Sequence, residues 1–209
     1  MPQKLFVVRH GETLWNKEFR LQGRLDSALK DTGKRQADEN GRLLRRHAVE
    51  RLLVSPLGRT TETAYIINSH VQAEIEFVDE LVERDSGRWS GLTLDDIRAD
   101  DPVNWRAREG NEWHHRPPDG ENMPDVIERV GPVLEQLTVA SSQGGAAPAE
   151  STSSSPVTAI ISHGMVGKAI LAHFLHLNDQ SGWDVRQPND VVYELTFNAG
   201  AAEGVDCDH

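Results

Sequence analysis

Three short apolar runs in this chain each end on residues suited to gripping an anion. Leu5–Val8 runs into Arg9-His10-Gly11, Leu52–Val54 into Ser55-Pro56-Leu57-Gly58-Arg59, and Val157–Ile161 into Ser162-His163-Gly164. A cation or an imidazole at the end of a buried strand is costly unless something there uses it. A guanidinium fork matches phosphate oxygens, and an imidazole serves as nucleophile, acid or base. A glycine at such a point lets the chain turn and a ligand come close. Taken alone, Arg9-His10-Gly11 fits equally well a strand end whose arginine pairs with a carboxylate, because short motifs match often by chance. Two separate apolar strands that both end in His-Gly form the more specific signal.

The chemistry these residues suit is phosphoryl transfer through a histidine. A neutral imidazole nitrogen attacks phosphorus and splits one hard step into two. Charge spreads over the equatorial oxygens, so the protein must mainly position and neutralise. Arg9 and Arg59 can each clamp phosphate oxygens, and a second histidine can donate further hydrogen bonds. Preorganised donors of this kind are worth about 3–4 kcal/mol each in the transition state. Guanidinium groups supply the charge, so the reading calls for no metal and no cofactor.

The elements that must position these residues alternate between strand and helix. Thr32 reads as the N-cap of an amphipathic helix over Lys34–His47, with Ala37, Leu43 and Leu44 inward. Helical patterning returns over Thr60–Ser69, Glu121–Leu137 and Met165–Leu177, and strands are expected at Ile75–Val78 and Val191–Phe197. The fold class expected is α/β: a three-layer sandwich around a mainly parallel sheet. Ligands of open sheets bind beyond the carboxyl ends of the strands, where Arg9, His10, Arg59 and His163 all fall. Residues 84–123 hold Trp89, Trp105, Trp113, His114 and His115 with only a short helical patch at Leu94–Arg98, and read as an irregular inserted segment. A lid over the site and the packing of a small subdomain fit that composition equally. Residues 140–156 are rich in Ser, Ala and Gly and read as a flexible loop; residues 198–209 read as a frayed tail.

Composition bounds the function. The 209 residues suit a single domain, here expected over 1–209, and can bury a real core. Acidic residues number 33 against 22 basic ones, a net charge of −11 that disfavours a nucleic-acid partner. No apolar run approaches a membrane-spanning length, and the start of the chain lacks a signal-peptide layout, so the expected setting is cytoplasmic. Cys207 is the only cysteine, which excludes an internal disulfide, a cysteine-based zinc site and a cysteine-dependent phosphatase loop. His114 and His115 with His173 or His176 lack any spacing that would fix a metal geometry.

Arg9-His10-Gly11-Glu12-Thr13, followed by Trp15-Asn16, resembles the signature of the histidine phosphatase superfamily in its phosphoglycerate mutase-like branch. The resemblance continues through Gln22-Gly23, Ser55 to Arg59, Glu83 to Gly91, Gly120-Glu121 and Ser162-His163-Gly164, in the expected order. It implies that His10 is the phosphorylated nucleophile and that Arg9, Arg59 and His163 form the phosphate pocket. It implies a hydrogen bond from Asn16 to the phosphoryl group, with Gln22, Gly23 and Gly164 lining the pocket. Glu83 would be the general acid and then the base for water. From position alone Glu83 reads as a surface carboxylate paired with Arg84, and Asp85 is a rival acid. Glu12 has no assigned chemistry.

The same core serves phosphatases and mutases. Mutases of this branch carry an adjacent arginine pair in the inserted segment and Gly-Asn-Ser after the second histidine. This chain has Trp105-Arg106-Ala107-Arg108 and Gly164-Met165-Val166. The resemblance therefore implies a metal-independent phosphomonoesterase acting on a small phosphorylated substrate, with a 2,3-bisphosphoglycerate-dependent mutase as the alternative and a non-catalytic phospho-ligand binding module as a third. Arg84, Arg88, Arg106, Arg108 and Arg116 offer charge for a second anionic group, each read as a solvated surface charge.

Overall fold

The computed structural model describes residues 3–142, 156–198 and 201–208. In chain order the strands are β1 Gln3–Arg9, β2 Arg51–Val54, β3 Glu74–Phe77, β4 Thr158–Ser162, β5 Val192–Asn198 and β6 Ala201–Asp208. The helices are α1 Leu14–Lys17, α2 Asp31–Arg46, α3 Gly58–Val71, α4 Leu94–Asp100, α5 Pro102–Arg108, α6 Met123–Ser142, α7 Gly164–Phe174 and α8 Asp179–Asp184.

One six-stranded sheet runs in the order β3-β2-β4-β1-β5-β6. The first four of these are mutually parallel, and β5 and β6 close one side antiparallel. Alternation along β1 sends its side chains to two cores. Leu5 and Val7 join Leu53, Ile160 and Leu195 beneath α6 and α7; Phe6 and Val8 join Leu52, Ile161 and Ala64 on the α2–α3 side. All of these are buried, which makes helix–sheet–helix the physical basis of the fold.

Several boundaries differ from the sequence reading. Helix α2 begins at Asp31 with Lys30 as its N-cap, so Thr32 lies inside the first turn instead of capping it. A Cβ at Gly33 would collide with the Glu12 carbonyl, so the first turn of α2 is pressed onto the loop after β1. The expected frayed tail instead pairs with β5 as β6, Val192 opposite Asp208 through Asn198 opposite Ala201. An open strand edge offers main-chain donors and acceptors whatever the side chains are, and the composition-based reading missed this. Of the expected loop over 140–156, residues 140–142 extend α6, 156 precedes β4, and 143–155 lie outside the described residues. Segment 84–123 contains only short elements: a 3-10 turn at Gly87–Trp89, then α4 and α5. Trp89, Ile97 and Trp105 form a small core of their own, with Leu21 and Leu92 against it.

Candidate active site

Strand register sets the site. Arg9 pairs with Ser162 across β1–β4, and Val54 with Ile161 across β2–β4, so the three strands end at one level. The pairing carries one residue further, with His10 N donating to the Ser162 carbonyl at 3.0 Å and Ser55 N to the Ile161 carbonyl at 3.1 Å. His10 and His163 thereby face each other, ring centroids 5.3 Å apart. A cavity of about 570 Å³ opens beyond these strand ends, with Arg9, His10, Arg59, Glu83 and Gly164 in its wall.

His10 is buried, and its Nδ1 lies 2.8 Å from the Gly11 carbonyl. A carbonyl only accepts, so Nδ1 carries the proton and Nε2 keeps its lone pair. Burial, then Arg9 and Arg59, holds the imidazole's pKa well below its ordinary value, which keeps it neutral. His163 is fully buried at the start of α7, and its Nε2 lies 2.8 Å from Ser55 Oγ. Burial, Arg59, His10 and Arg9 push its pKa down as well.

The two arginines are fixed from behind. Arg9 Nη1 donates to the Gln187 carbonyl at 2.6 Å. Arg59 Nη1 reaches the Leu25 carbonyl at 2.7 Å and Asp26 Oδ1 at 3.1 Å, while Nη2 reaches the Gly23 carbonyl at 2.9 Å. Gly23 adopts φ +50°, a left-handed conformation that glycine takes without strain, and this turns its carbonyl to Arg59. The Nε atoms of both arginines are buried with no partner, as are Arg84 Nε, His163 Nδ1 and Gln187 Nε2. Arg9, Arg59, Arg84 and Gln187 line the cavity, as does Gln22, whose Oε1 is also unpartnered, while His163 lies behind the wall; buried polar atoms are nearly always satisfied, so the unpaired guanidinium N–H groups mark where an anion fits.

Glu83 stands on the cavity wall. One carboxylate oxygen accepts from Arg84 N at 2.8 Å, the other from Met165 N in the first turn of α7 at 3.3 Å. Asp85 is elsewhere engaged: it accepts from Gly87 N at 2.8 Å, sits 3.6 Å from Arg24 Nε and does not line the cavity. Geometry therefore separates the two carboxylates that sequence left open. Asn16, Gln22, Gly23 and Gly164 all line the cavity as expected. Asn16 Oδ1 accepts from Thr13, which leaves its Nδ2 donors for the cavity. Glu12 pairs with Lys30 at 2.6 Å.

Some site residues escaped the sequence reading. Arg84, taken for a surface charge, is only 7% exposed and lines the cavity; burial lowers its pKa. Lys168, Gln187 and Asn189 also contribute, and Asn189 Nδ2 donates to the His10 carbonyl at 2.6 Å. Residues just before β5 reach the site because β5 runs antiparallel to β1, Val192 opposite Val8. The strand direction was the missing signal. His114 pairs with Asp179 and His115 stacks on Trp89. Among the described residues no group of three or more His, Cys, Asp or Glu is placed to hold a metal.

The protein named probable phosphoglycerate mutase GpmB of Salmonella arizonae is 37% identical over 132 residues, 63% of this chain and 61% of that protein's length. Among solved structures, Bacillus stearothermophilus YhfR superposes with a TM-score of 0.81 at 28% identity, covering 96% of this chain and 94% of its own. The Shigella flexneri alpha-ribazole phosphatase gives 0.81 at 24% identity, covering 96% and 93%, a likeness of fold. The family model of the histidine phosphatase superfamily (branch 1) matches residues 5–207, a span that includes every strand end and loop bearing a site residue, and the chain belongs to that family.

Proposed function

We propose that this protein is a metal-independent phosphomonoesterase working through a phosphohistidine. The observation that carries the proposal is the set of unpartnered buried nitrogens near the neutral, lone-pair-bearing His10: Arg9 Nε, Arg59 Nε and His163 Nδ1. His10 Nε2 attacks phosphorus as the P–O ester bond breaks, and Glu83 gives its proton to the departing oxygen. Water then attacks the phosphorus of the N–P bond; Glu83 takes its proton, His10 leaves as the neutral imidazole, and phosphate departs. Arg9, Arg59, His163 and Asn16 hold the equatorial oxygens throughout. The substrate is a small phosphorylated molecule.

The relative named as a phosphoglycerate mutase supports a second reading, in which His10 returns the phosphoryl group to an acceptor instead of water. One experiment tests both. A panel of sugar phosphates, phosphoglycerates and phosphopeptides is assayed for phosphate release, with 2,3-bisphosphoglycerate-dependent mutase activity in parallel. Release of phosphate that disappears in His10→Ala, together with loss of an acid-labile phosphoryl label, is the expected result. Full activity in His10→Ala overturns the mechanism, mutase turnover without phosphate release favours the second reading, and binding without turnover leaves a binding module.

A further inference from the structure

Phe19 occupies a position where local physics favours glycine. Helix α1 ends at Lys17 with Glu18 as its C-cap, so Phe19 is the next residue, with φ +56°. The hydrogen bonds are those of a Schellman closure: Arg20 N to the Trp15 carbonyl at 3.0 Å and Phe19 N to the Asn16 carbonyl at 3.2 Å. A left-handed conformation strains any residue with a Cβ, and a bulky aromatic is an unusual occupant. Its ring is also 78% exposed. Nothing in the turn requires a phenyl group, and folding gains nothing from burying it.

Phe19 belongs to the wall of the cavity. An antiparallel bridge between Arg20 and Thr93 fixes its neighbours. Leu21 N also donates to the Leu92 carbonyl at 2.9 Å, so the loop after α1 is held against the start of α4. Leu94 is likewise exposed, 38%, and lines the same cavity along with Leu21, Met165 and Val185. The cavity thus has a cationic floor at Arg9 and Arg59 beside His10, and an apolar rim built where the loop after α1 meets segment 84–123. Its 570 Å³ is in the range of pockets for drug-sized ligands, far more than a phosphate group alone needs.

We propose that Phe19, with Leu94 on the same cavity wall, is a binding platform for the leaving group, and that the preferred substrates are phosphomonoesters with an aromatic or similarly flat apolar leaving group. Strain and exposure concentrated in one side chain at a site are retained where the side chain is used. The inference rests on the phosphomonoesterase reading for what occupies the cationic floor, but its test needs no turnover.

Calorimetric titration of the full chain with (1-naphthylmethyl)phosphonate and with methylphosphonate, in wild type and Phe19→Gly, decides it. Wild type is expected to bind the naphthyl compound at least about tenfold more tightly, and Phe19→Gly to remove most of that preference while leaving methylphosphonate affinity unchanged. The glycine variant is expected to melt no lower than wild type, because the turn now has its favoured residue. Equal affinities in wild type, or a loss in Phe19→Gly shared by both compounds or seen for neither, overturns the proposal. Hydrolysis of 1-naphthyl phosphate by the same wild-type sample is scored separately; absent hydrolysis with the binding difference intact removes the hydrolase reading and keeps the platform.

Discussion

Ser55 Oγ and His163 Nε2, 2.8 Å apart and both fully buried, tie the carboxyl end of β2 to that of β4. The bond does more than brace the sheet. His163 is held neutral by burial and by Arg59, His10 and Arg9, so only one ring nitrogen bears a proton. When the Ser55 hydroxyl donates to Nε2, the proton sits on Nδ1, the ring nitrogen that has no partner.

Ser55→Ala tests that arrangement. The substitution leaves Nε2 buried and unpaired, an expected loss of about 1–3 kcal/mol in stability. Under the proposed mechanism, loss of the Nδ1 proton would remove a donor to the transferring phosphoryl group, so kcat for a phosphomonoester substrate should fall about tenfold or more with KM little changed. Denaturant titration and steady-state kinetics measure the two effects; a wild-type kcat in a destabilised variant would show that Ser55 only braces the strands.

The strand-end motifs were legible because their chemistry is local to a strand and its following turn. Arg9, His10, Arg59 and His163 need only the rule that parallel strands deliver their carboxyl ends to one rim. Asn189 and Gln187 were not legible, because their place depends on the antiparallel course of β5, and an alternating strand reads the same in either direction. Arg84 was misjudged for a different reason. Burial of a charge depends on a partner, here the neighbouring Glu83 and Glu121, and the distant Glu121 could not be paired with it from sequence. The β6 strand shows the opposite limit: main-chain pairing to an open edge leaves little trace in side-chain composition.

The division between Glu83 and Asp85 gives a second prediction. Glu83 lines the cavity and Asp85 does not. General acid catalysis contributes about 10²–10⁴-fold, and it matters least when the leaving oxygen needs no proton. Glu83→Gln should therefore lower kcat by at least about a hundredfold for an alkyl phosphate and far less for p-nitrophenyl phosphate. Asp85→Asn should keep most activity on both. An equal loss on both substrates in Glu83→Gln would point to a positioning role for the carboxylate.

Acid should destabilise the fold early. His10 and His163 both have pKa values well below the ordinary imidazole value of 6.5 in the folded state, burial being the first cause in each. As pH falls through 6.5 the unfolded chain takes up protons that the folded chain refuses. Stability that is full above 6.5 is then lost below it, at about 1.4 kcal/mol per pH unit for each histidine. Two such groups give a slope near 2.7 kcal/mol per unit. His115 and His173, also depressed by burial, add to it. Denaturant titrations at pH 7.5, 6.5 and 5.5 read this slope, and His10→Ala should lower it by up to about 1.4 kcal/mol per unit. The same depression keeps Nε2 of His10 unprotonated, so the acid limb of kcat/KM should lie below pH 6.5. A limb at or above 6.5 would contradict a buried neutral nucleophile.

Gly58 carries the last prediction, through a residue it does not resemble. A Cβ at Gly58 would collide with Asp26 Oδ2. Asp26 Oδ1 accepts from both Arg59 N at 3.2 Å and Arg59 Nη1 at 3.1 Å, so it fixes the guanidinium and the start of α3 together. The Asp26 side chain is 41% exposed, which limits what the ion pair adds to stability. Its value lies in aiming Arg59. Gly58→Ala should displace Asp26, lower kcat/KM about tenfold and leave the melting temperature nearly unchanged. Asp26→Ala should do the same. Because both act on one guanidinium, the double variant should be no worse than the poorer single one. Additive losses in that cycle would mean that the two residues act on the site by separate routes.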